Sequence, residues 1–455
     1  MKGFRDLYKD KKKKNKPPTE QIINQAIQLH LKGNITEATK YYKQLINQRC
    51  NNPSVFSNYG AILYGLGKLK DAENLFRKAI EIKPDYAEAH SNLGNVLKNL
   101  GKLQDAEKSY RKAIELNPDL AEPYYSLSVI KYSDVNNIWQ DQLFSENILN
   151  NKSQIDQVNI YFTRANILHK RKEYKESASY LQLANNLKLV IYPSNSDALI
   201  EKSQKLLIES DKKNIYSKKY ISSSENIFIV GMPRSGSTLL ESILSMREDV
   251  YDLGETNFLE DSFIDYENSK NDMNLAELYR SKVNNKTDLN ITTNKNLYNF
   301  QYAGIIANQI PNAKIIHCFR NPLDNILSIY RAHFANGNEY SSSLVDCAKI
   351  YLDQEKIMSA YKKRFRSKIY DLNYNSLVTN PKKEIKSLLS WLGWGWNDYY
   401  LSPHLNPRSV STASSVQVRS PINSKSISGW KNYKEMLKPA IKILNKTNIY
   451  KDIIS

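Results

Sequence analysis

The sequence predicts two architectures in tandem: an α-helical solenoid, then an α/β domain built on a parallel sheet. Three observations carry this. Small residues recur with a period of 34 from about Thr19. The stretch Ile227–Leu244, IFIVGMPRSGSTLLESIL, reads as strand, glycine loop and helix. Lys314–Tyr330, KIIHCFRNPLDNILSIY, reads as strand, turn and helix again.

The totals bound the problem. A chain of 455 residues has room for two to three domains, each with its own core. No apolar run approaches the roughly 20 residues that cross a bilayer. The opening MKGFRDLYKDKKKKNKPP has no signal-peptide core, so a cytoplasmic protein without a transmembrane segment is expected. Cys50, Cys318 and Cys347 are too widely spaced for a disulfide framework or a metal site. The formal charge of +18 draws anionic ligands. Nucleic acid is not expected among them, because no basic helix or aromatic-basic stripe of the nucleic-acid modules is present.

Residues 1–18 read as a disordered basic arm, and residues 19–190 as the solenoid. Ala26, Gly60 and Gly94 stand 34 apart, as do Gly33, Gly67 and Gly101, and Ala38, Ala72 and Ala106. Pro84 and Pro118 each follow a second helix, where proline cannot prolong it. Small residues belong where the two helices of a pair cross. The pattern decays after Ala121 and returns in weaker form over Tyr161–Lys188, with an insertion in Asn136–Gln157. These repeats resemble the tetratricopeptide repeat (TPR) family closely. Arrays of this kind present a concave face, so a protein or peptide partner is expected there; a plain scaffold is the alternative. Residues 191–224 read as a linker, with an amphipathic helix around Leu199–Ile208.

Residues 225–455 form the second domain. Ile227–Val230 is an unbroken β-branched and aromatic run, suited to a strand buried on both faces. Gly231 and Gly236 bracket a tight loop, and Leu239, Leu240, Ile243 and Leu244 follow at helical spacing. Such a loop aims backbone N–H groups and a helix N-terminus at a phosphate. The spacing is that of a P-loop, but Ser237 stands where an NTPase keeps its lysine, and the cation is Arg234. Farther on, Ile315–Phe319 is a strand with Arg320 at its end. Asn321 can cap the next helix, Pro322 suits its first turn, Asp324 complements its dipole, and Ser328 lies two turns in. A guanidinium at a strand's carboxyl end suits bidentate phosphate binding rather than the Mg²⁺ site of a kinase.

GMPRSGSTLLESIL and FRNPLDNILSIY together resemble the sulfotransferase family, and the repeats ahead of them resemble bacterial TPR-containing sulfotransferases, themselves similar to tyrosylprotein sulfotransferases. The implied fold is an N-terminal TPR α-solenoid followed by a P-loop-type α/β sulfotransferase domain. The implied donor is 3′-phosphoadenosine 5′-phosphosulfate (PAPS), with no metal. The resemblance puts Arg234, Ser235, Gly236, Ser237 and Thr238 on the 5′ side, and Arg320 and Ser328 on the 3′-phosphate. Glu255, in DLGET, matches the family's general base; Lys295, in Asn294-Lys295-Asn296, matches the catalytic lysine. Tyr374, in a segment that reads as strand, and Ser414, in the segment Ser411–Tyr433 that covers the donor, match further donor contacts. Two positions depart from the pattern. Gly429 replaces a basic residue, with Lys425 and Lys431 as substitutes, and Asn257 replaces an arginine of the tyrosylprotein enzymes.

The residue types suit sulfuryl transfer. Negative charge on the leaving and equatorial oxygens needs cations, here Arg234 and Lys295, and the acceptor hydroxyl or amine needs a base. Taken alone, Glu255 also reads as a surface carboxylate and Lys295 as a solvated lysine. His317 and His333 read as structural, and Cys318 as a small buried residue. The acceptor is not legible; Glu260–Thr293 is expected to shape its pocket. A binding scaffold with a degenerate nucleotide site, or a P-loop kinase, are the rival readings.

Overall fold

The computed structural model describes residues 19–133, 138–211, 224–269, 274–334, 337–410, 412–447 and 450. The basic arm and most of the carboxyl half of the linker fall outside them. The chain divides into two compact units. One comprises the described residues up to Leu97 with Gln104–Pro118; the other comprises Lys98–Leu103 with the described residues from Asp119 on.

The first unit is wholly helical: α1 (Thr19–Leu31), α2 (Ile35–Asn47), α3 (Pro53–Gly65), α4 (Leu69–Ile82), most of α5 (Ala87–Asn99) and α6 (Leu103–Leu116). Asn34 and Asn52 cap α2 and α3 by accepting the amides of Glu37 and Ser54, and Pro53 occupies the first turn of α3. The 34-residue period is steric in origin. A Cβ on Gly94 would lie 2.5 Å from the ring of Tyr110, one helix on, so only glycine lets that helix pair close.

The second unit opens with α7 (Ala121–Val129), α8 (Ile138–Phe144), α9 (Gln154–Lys170), α10 (Tyr174–Ile191) and α11 (Ser196–Glu209). Then come β1 (Glu225–Gly231), α12 (Ser237–Leu244), β2 (Val250–Asp252), α13 (Phe258–Asn268), α14 (Leu275–Asn284), β3 (Ile291–Asn294), α15 (Ala303–Gln309), β4 (Ala313–Phe319), α16 (Pro322–Tyr330) and α17 (Leu344–Arg364). Last come β5 (Ile369–Asn373), α18 (Tyr374–Thr379), α19 (Pro381–Leu392) and α20 (Lys438–Leu444). The strands form one sheet in the order β2-β3-β1-β4-β5, and every pairing is parallel.

Side chains of the central strand alternate between two cores, as a period of two requires. Ile227 and Ile229 pack with Ile316 and Leu372 under α12 and α19. Phe228 and Val230 pack with Ile315 and Ile369 under α15 and α17. All four β1 side chains are fully buried, each stabilising the sheet by about 1.5–3 kcal/mol. A third core joins α9 and α10, through Phe162, Ala165, Leu181 and Ala184, to Leu323 and Ile326 of α16. Helices α7–α10 thus belong to the same body as the sheet.

Among the described residues no helix is long and apolar enough to cross a membrane. One local difference from the sequence reading concerns Tyr374. It is the first residue of α18 rather than part of a strand, because the Asn373 side chain accepts the Ser376 amide and caps the helix there.

Candidate active site

All five strands run in parallel, so their carboxyl ends share one edge of the sheet, where ligands of open α/β folds bind. Each end delivers one of the expected groups within three residues: Arg234 after β1, Glu255 after β2, Lys295 after β3, Arg320 after β4 and Tyr374 after β5.

The loop after β1 is held open by backbone geometry. Gly231 (φ +139°) passes so close to β4 that a Cβ would lie 2.2 Å from the Cys318 carbonyl oxygen. Gly236 (φ +94°) is the left-handed residue ahead of α12, and a Cβ there would lie 2.4 Å from the Tyr374 ring. Arg234 is itself left-handed, at φ +67°. The buried Asn325 side chain fixes the loop by donating to the Pro233 carbonyl at 2.9 Å. The buried Ser235 hydroxyl has no partner among the described residues.

Arg234 donates from Nε to Ser328 Oγ at 3.1 Å, from Nη1 to Ser414 Oγ at 2.5 Å and from Nη2 to Gln417 Oε1 at 2.7 Å. Burial first, then the charge of Arg320, brings its pKa down to about 10. No carboxylate among the described residues neutralises it. Arg320 is buried, lies over the Tyr374 ring at 4.7 Å and donates to the Ser426 carbonyl, yet its Nε has no partner among the described residues. Tyr351 donates to the Arg320 carbonyl at 2.9 Å and Tyr374 bonds Ser426 Oγ at 2.8 Å. Asp324 accepts the amides of Ser428 (2.7 Å) and Trp430 (3.0 Å), which pins the end of the covering segment to the first turn of α16.

Arg234, Gly236, Thr238, Arg320, Ser328, Tyr374 and Ser414 line a single cavity of ≈ 740 Å³. Its charge is one-sided. Lys98, Lys170, Arg234, Arg320, Arg331 and Lys425 line it against one acid, Asp324, whose carboxylate the two amides already engage. Lys425, but not Lys431, reaches the cavity beside Gly429. The described residues of Glu260–Thr293 contribute nothing to this wall, to which α7, α9 and the segment 412–429 contribute instead.

Glu255 and Lys295 lie outside the cavity lining. The Lys295 ammonium is fully buried, 2.5 Å from Glu255 Oε1 and 3.9 Å from Glu241 Oε2, whereas the Glu255 side chain is 52% exposed. Glu241, on α12, is buried and its pKa is raised by burial against the opposing charges of Lys295 and Arg408. Arg408 joins Glu241 (3.2 Å) to Asp252, so a chain of charges runs from the loop helix to the ends of β2 and β3.

Residues 226–290 and 273–398 match the family model described as "Sulfotransferase family". Residues 60–101 and 87–120 match models described as "TPR repeat" and "Tetratricopeptide repeat". The chain carries a sulfotransferase-family domain behind tetratricopeptide repeats. An uncharacterized protein of Aquifex aeolicus is 29% identical over 315 residues, 63% of this chain; the chain spans 41% of that relative's length. Among solved structures, the sulfotransferase domain of the Synechococcus PCC 7002 olefin synthase matches at 17% identity, over 50% of this chain and 96% of its own, with a TM-score of 0.38. Sulfotransferase STF1 of Mycobacterium tuberculosis H37Rv matches at 12% identity, over 58% and 90%, with a TM-score of 0.29. The P58(IPK) TPR domain matches at 14% identity, over 82% and 98%, with a TM-score of 0.21.

The sulfotransferase-family domain supports sulfuryl transfer as the general reaction class. Its cavity gathers seven of the expected donor contacts; Ser235 and Ser237 sit in the loop wall behind them and do not line it. Gln417, Asp324, Glu241 and Arg408 escaped the sequence reading as site-builders. They meet their partners across more than 100 residues of chain, and no local spacing marks them. His317 is buried between Asp371 and Gln354, and His333 stacks on Phe162 at 4.8 Å.

Proposed function

We propose that the protein transfers a sulfuryl group from PAPS to an acceptor hydroxyl or amine. The observation that supports this reading is that Arg234 and Arg320, from opposite corners of the β1–β4 edge, open into one cavity dominated by cations. The volume suits a nucleotide, and the unpartnered Arg320 Nε is a buried donor suited to a phosphate oxygen.

In this reading, the loop amides from Ser235 to Thr238 and the hydroxyls of Ser237 and Thr238 hold the 5′ end. Arg320 and Ser328 hold the 3′-phosphate, with Tyr374 and Ser414 closing over the nucleotide. The bound donor supplies an activated sulfuryl group. The acceptor oxygen forms a bond to sulfur as the bond from sulfur to the phosphate oxygen breaks, and the electron pair stays on the phosphate. Arg234 and Lys295 offset that charge. Glu255 takes the acceptor's proton, and its contact with Lys295 fixes the position of that carboxylate. The TPR region binds or orients a protein or peptide partner, or the acceptor itself. The free thiols Cys50, Cys318 and Cys347 suit a reducing, cytoplasmic setting.

The test is transfer of labelled sulfate from PAPS across a broad acceptor panel, with calorimetry of nucleotide binding beside it. Turnover with tight binding of 3′-phosphoadenosine 5′-phosphate supports the reading. Binding of that nucleotide without turnover on any acceptor favours a degenerate scaffold, and preferential binding of ATP–Mg²⁺ favours a kinase.

A further inference from the structure

The cavity holds more positive charge than a donor with two anionic ends uses. Arg331 is the guanidinium that the donor reading leaves unused. It follows the last residue of α16, three positions after Ser328 and so on the same helix face one turn on. Its guanidinium has neither a hydrogen bond nor a carboxylate partner among the described residues. What faces it is aromatic: the Tyr433 ring, 5.9 Å from the guanidinium carbon, with Tyr125 and Tyr174 nearby. Burial lowers its pKa, and its charge in turn depresses that of Arg234. A partly buried cation without a counter-charge is costly unless an anion meets it.

The surrounding wall is built for a polar guest. Tyr125 and Ser128 of α7, Asn166 and His169 of α9, and His333 line the same end of the cavity. Asn166 donates to Ser128 Oγ at 3.0 Å, and His169 Nδ1 lies 2.7 Å from the Tyr433 hydroxyl, so these rings and amides are held in place. None of them belongs to the phosphate loop or to the strand ends. They come from the helices ahead of the sheet and from the carboxyl end of α16.

We propose that the lobe around Arg331 is a second anion subsite, and that it holds an anionic group carried by the acceptor. The acceptor class is then a molecule that already bears a carboxylate, sulfate or phosphate beside the group to be sulfated. This rests on the donor reading, in which Arg320, Ser328 and the loop account for both anionic ends of the nucleotide. It also gives α7 and α9 a direct share in substrate recognition.

The experiment titrates inorganic sulfate into the full-length protein saturated with 3′-phosphoadenosine 5′-phosphate. The expected result is one remaining sulfate site, weakened about ten-fold or more by Arg331→Ala and less by Arg331→Lys. Nucleotide affinity of the Arg331→Ala protein should stay within about two-fold of wild type, which also certifies its fold. No sulfate uptake by the nucleotide-saturated protein overturns the proposal. So does an Arg331→Ala protein that loses the nucleotide as severely as Arg320→Ala does. If the nucleotide itself fails to bind, the donor reading falls; sulfate titration of the nucleotide-free protein, with and without Arg331→Ala, then decides the subsite separately.

Discussion

Arg234 Nε donates to Ser328 Oγ at 3.1 Å across a sequence separation of 94 residues. A side chain of the loop after β1 thereby meets the helix after β4, and its other two donors reach Ser414 and Gln417 of the covering segment. Three separate pieces of chain converge on one guanidinium. Arg234→Ala is expected to lower turnover by about 10²–10³-fold and to weaken nucleotide binding as well. Arg234→Lys should restore only part of both, because an ammonium cannot address three divergent oxygens as a planar fork does. Steady-state kinetics of the two variants check this.

Glu255 lies outside the cavity that Arg234, Arg320 and Ser328 line, against the buried ammonium of Lys295. Glu255→Ala should therefore cut turnover by about 10²–10⁴-fold and leave affinity for 3′-phosphoadenosine 5′-phosphate unchanged. Single-turnover rates and calorimetry on the same preparation separate the two effects. Unchanged turnover would remove Glu255 from the base role.

The contact of Arg408 with Glu241 is a buried ion pair on the loop helix. Arg408→Ala leaves Glu241 with Lys295 at 3.9 Å as its remaining cation, and should destabilise the protein by about 3–5 kcal/mol in urea unfolding. The double variant Arg408→Leu, Glu241→Leu should cost clearly less than the sum of the single changes. Additive costs would show that the pair is not coupled.

Two partly buried histidines set an acid limit. Burial, reinforced by the charges of Arg331 and Lys170, holds His169 down at about 3, and burial with the charge of Lys188 does the same for His333. The unfolded imidazoles titrate near 6.5. Between about pH 6.5 and 3 the unfolded chain binds protons that the folded chain refuses, so stability falls as pH falls through that window and is insensitive to these groups above it. The slope per histidine is at most about 1.4 kcal/mol per pH unit. Urea midpoints at pH 7.5, 6 and 5 should decline, and His333→Phe, which keeps the stacking on Phe162, should give a shallower decline.

Legibility in the sequence followed the range of the interactions. The 34-residue repeat was readable because Gly60 and Gly94 each answer a ring one helix on, Phe76 and Tyr110. The loop Gly231–Thr238 and the turn at Arg320 were readable because strand, turn and helix cap are contiguous. Asn321 caps α16 through the Leu323 and Asp324 amides, as its place before Pro322 foretold. What stayed hidden was tertiary. Gln417 carries no signature, and Arg408 meets Asp252 and Glu241 only because the chain returns across α12. Tyr374 reads as strand through its segment's resemblance to a strand of the sulfotransferase family, and the Asn373 cap makes it a helix start instead. The cavity wall from α7 and α9 was hidden because the repeat pattern had decayed there.

The measurement closest to the central claim compares 3′-phosphoadenosine 5′-phosphate with adenosine 5′-phosphate by calorimetry, on wild-type and Arg320→Ala proteins. One ligand gripped at both ends predicts a preference for the 3′-phosphorylated nucleotide of about ten-fold or more in the wild type, abolished in Arg320→Ala. Equal affinities in the wild type, or a preference that survives the loss of Arg320, would contradict it.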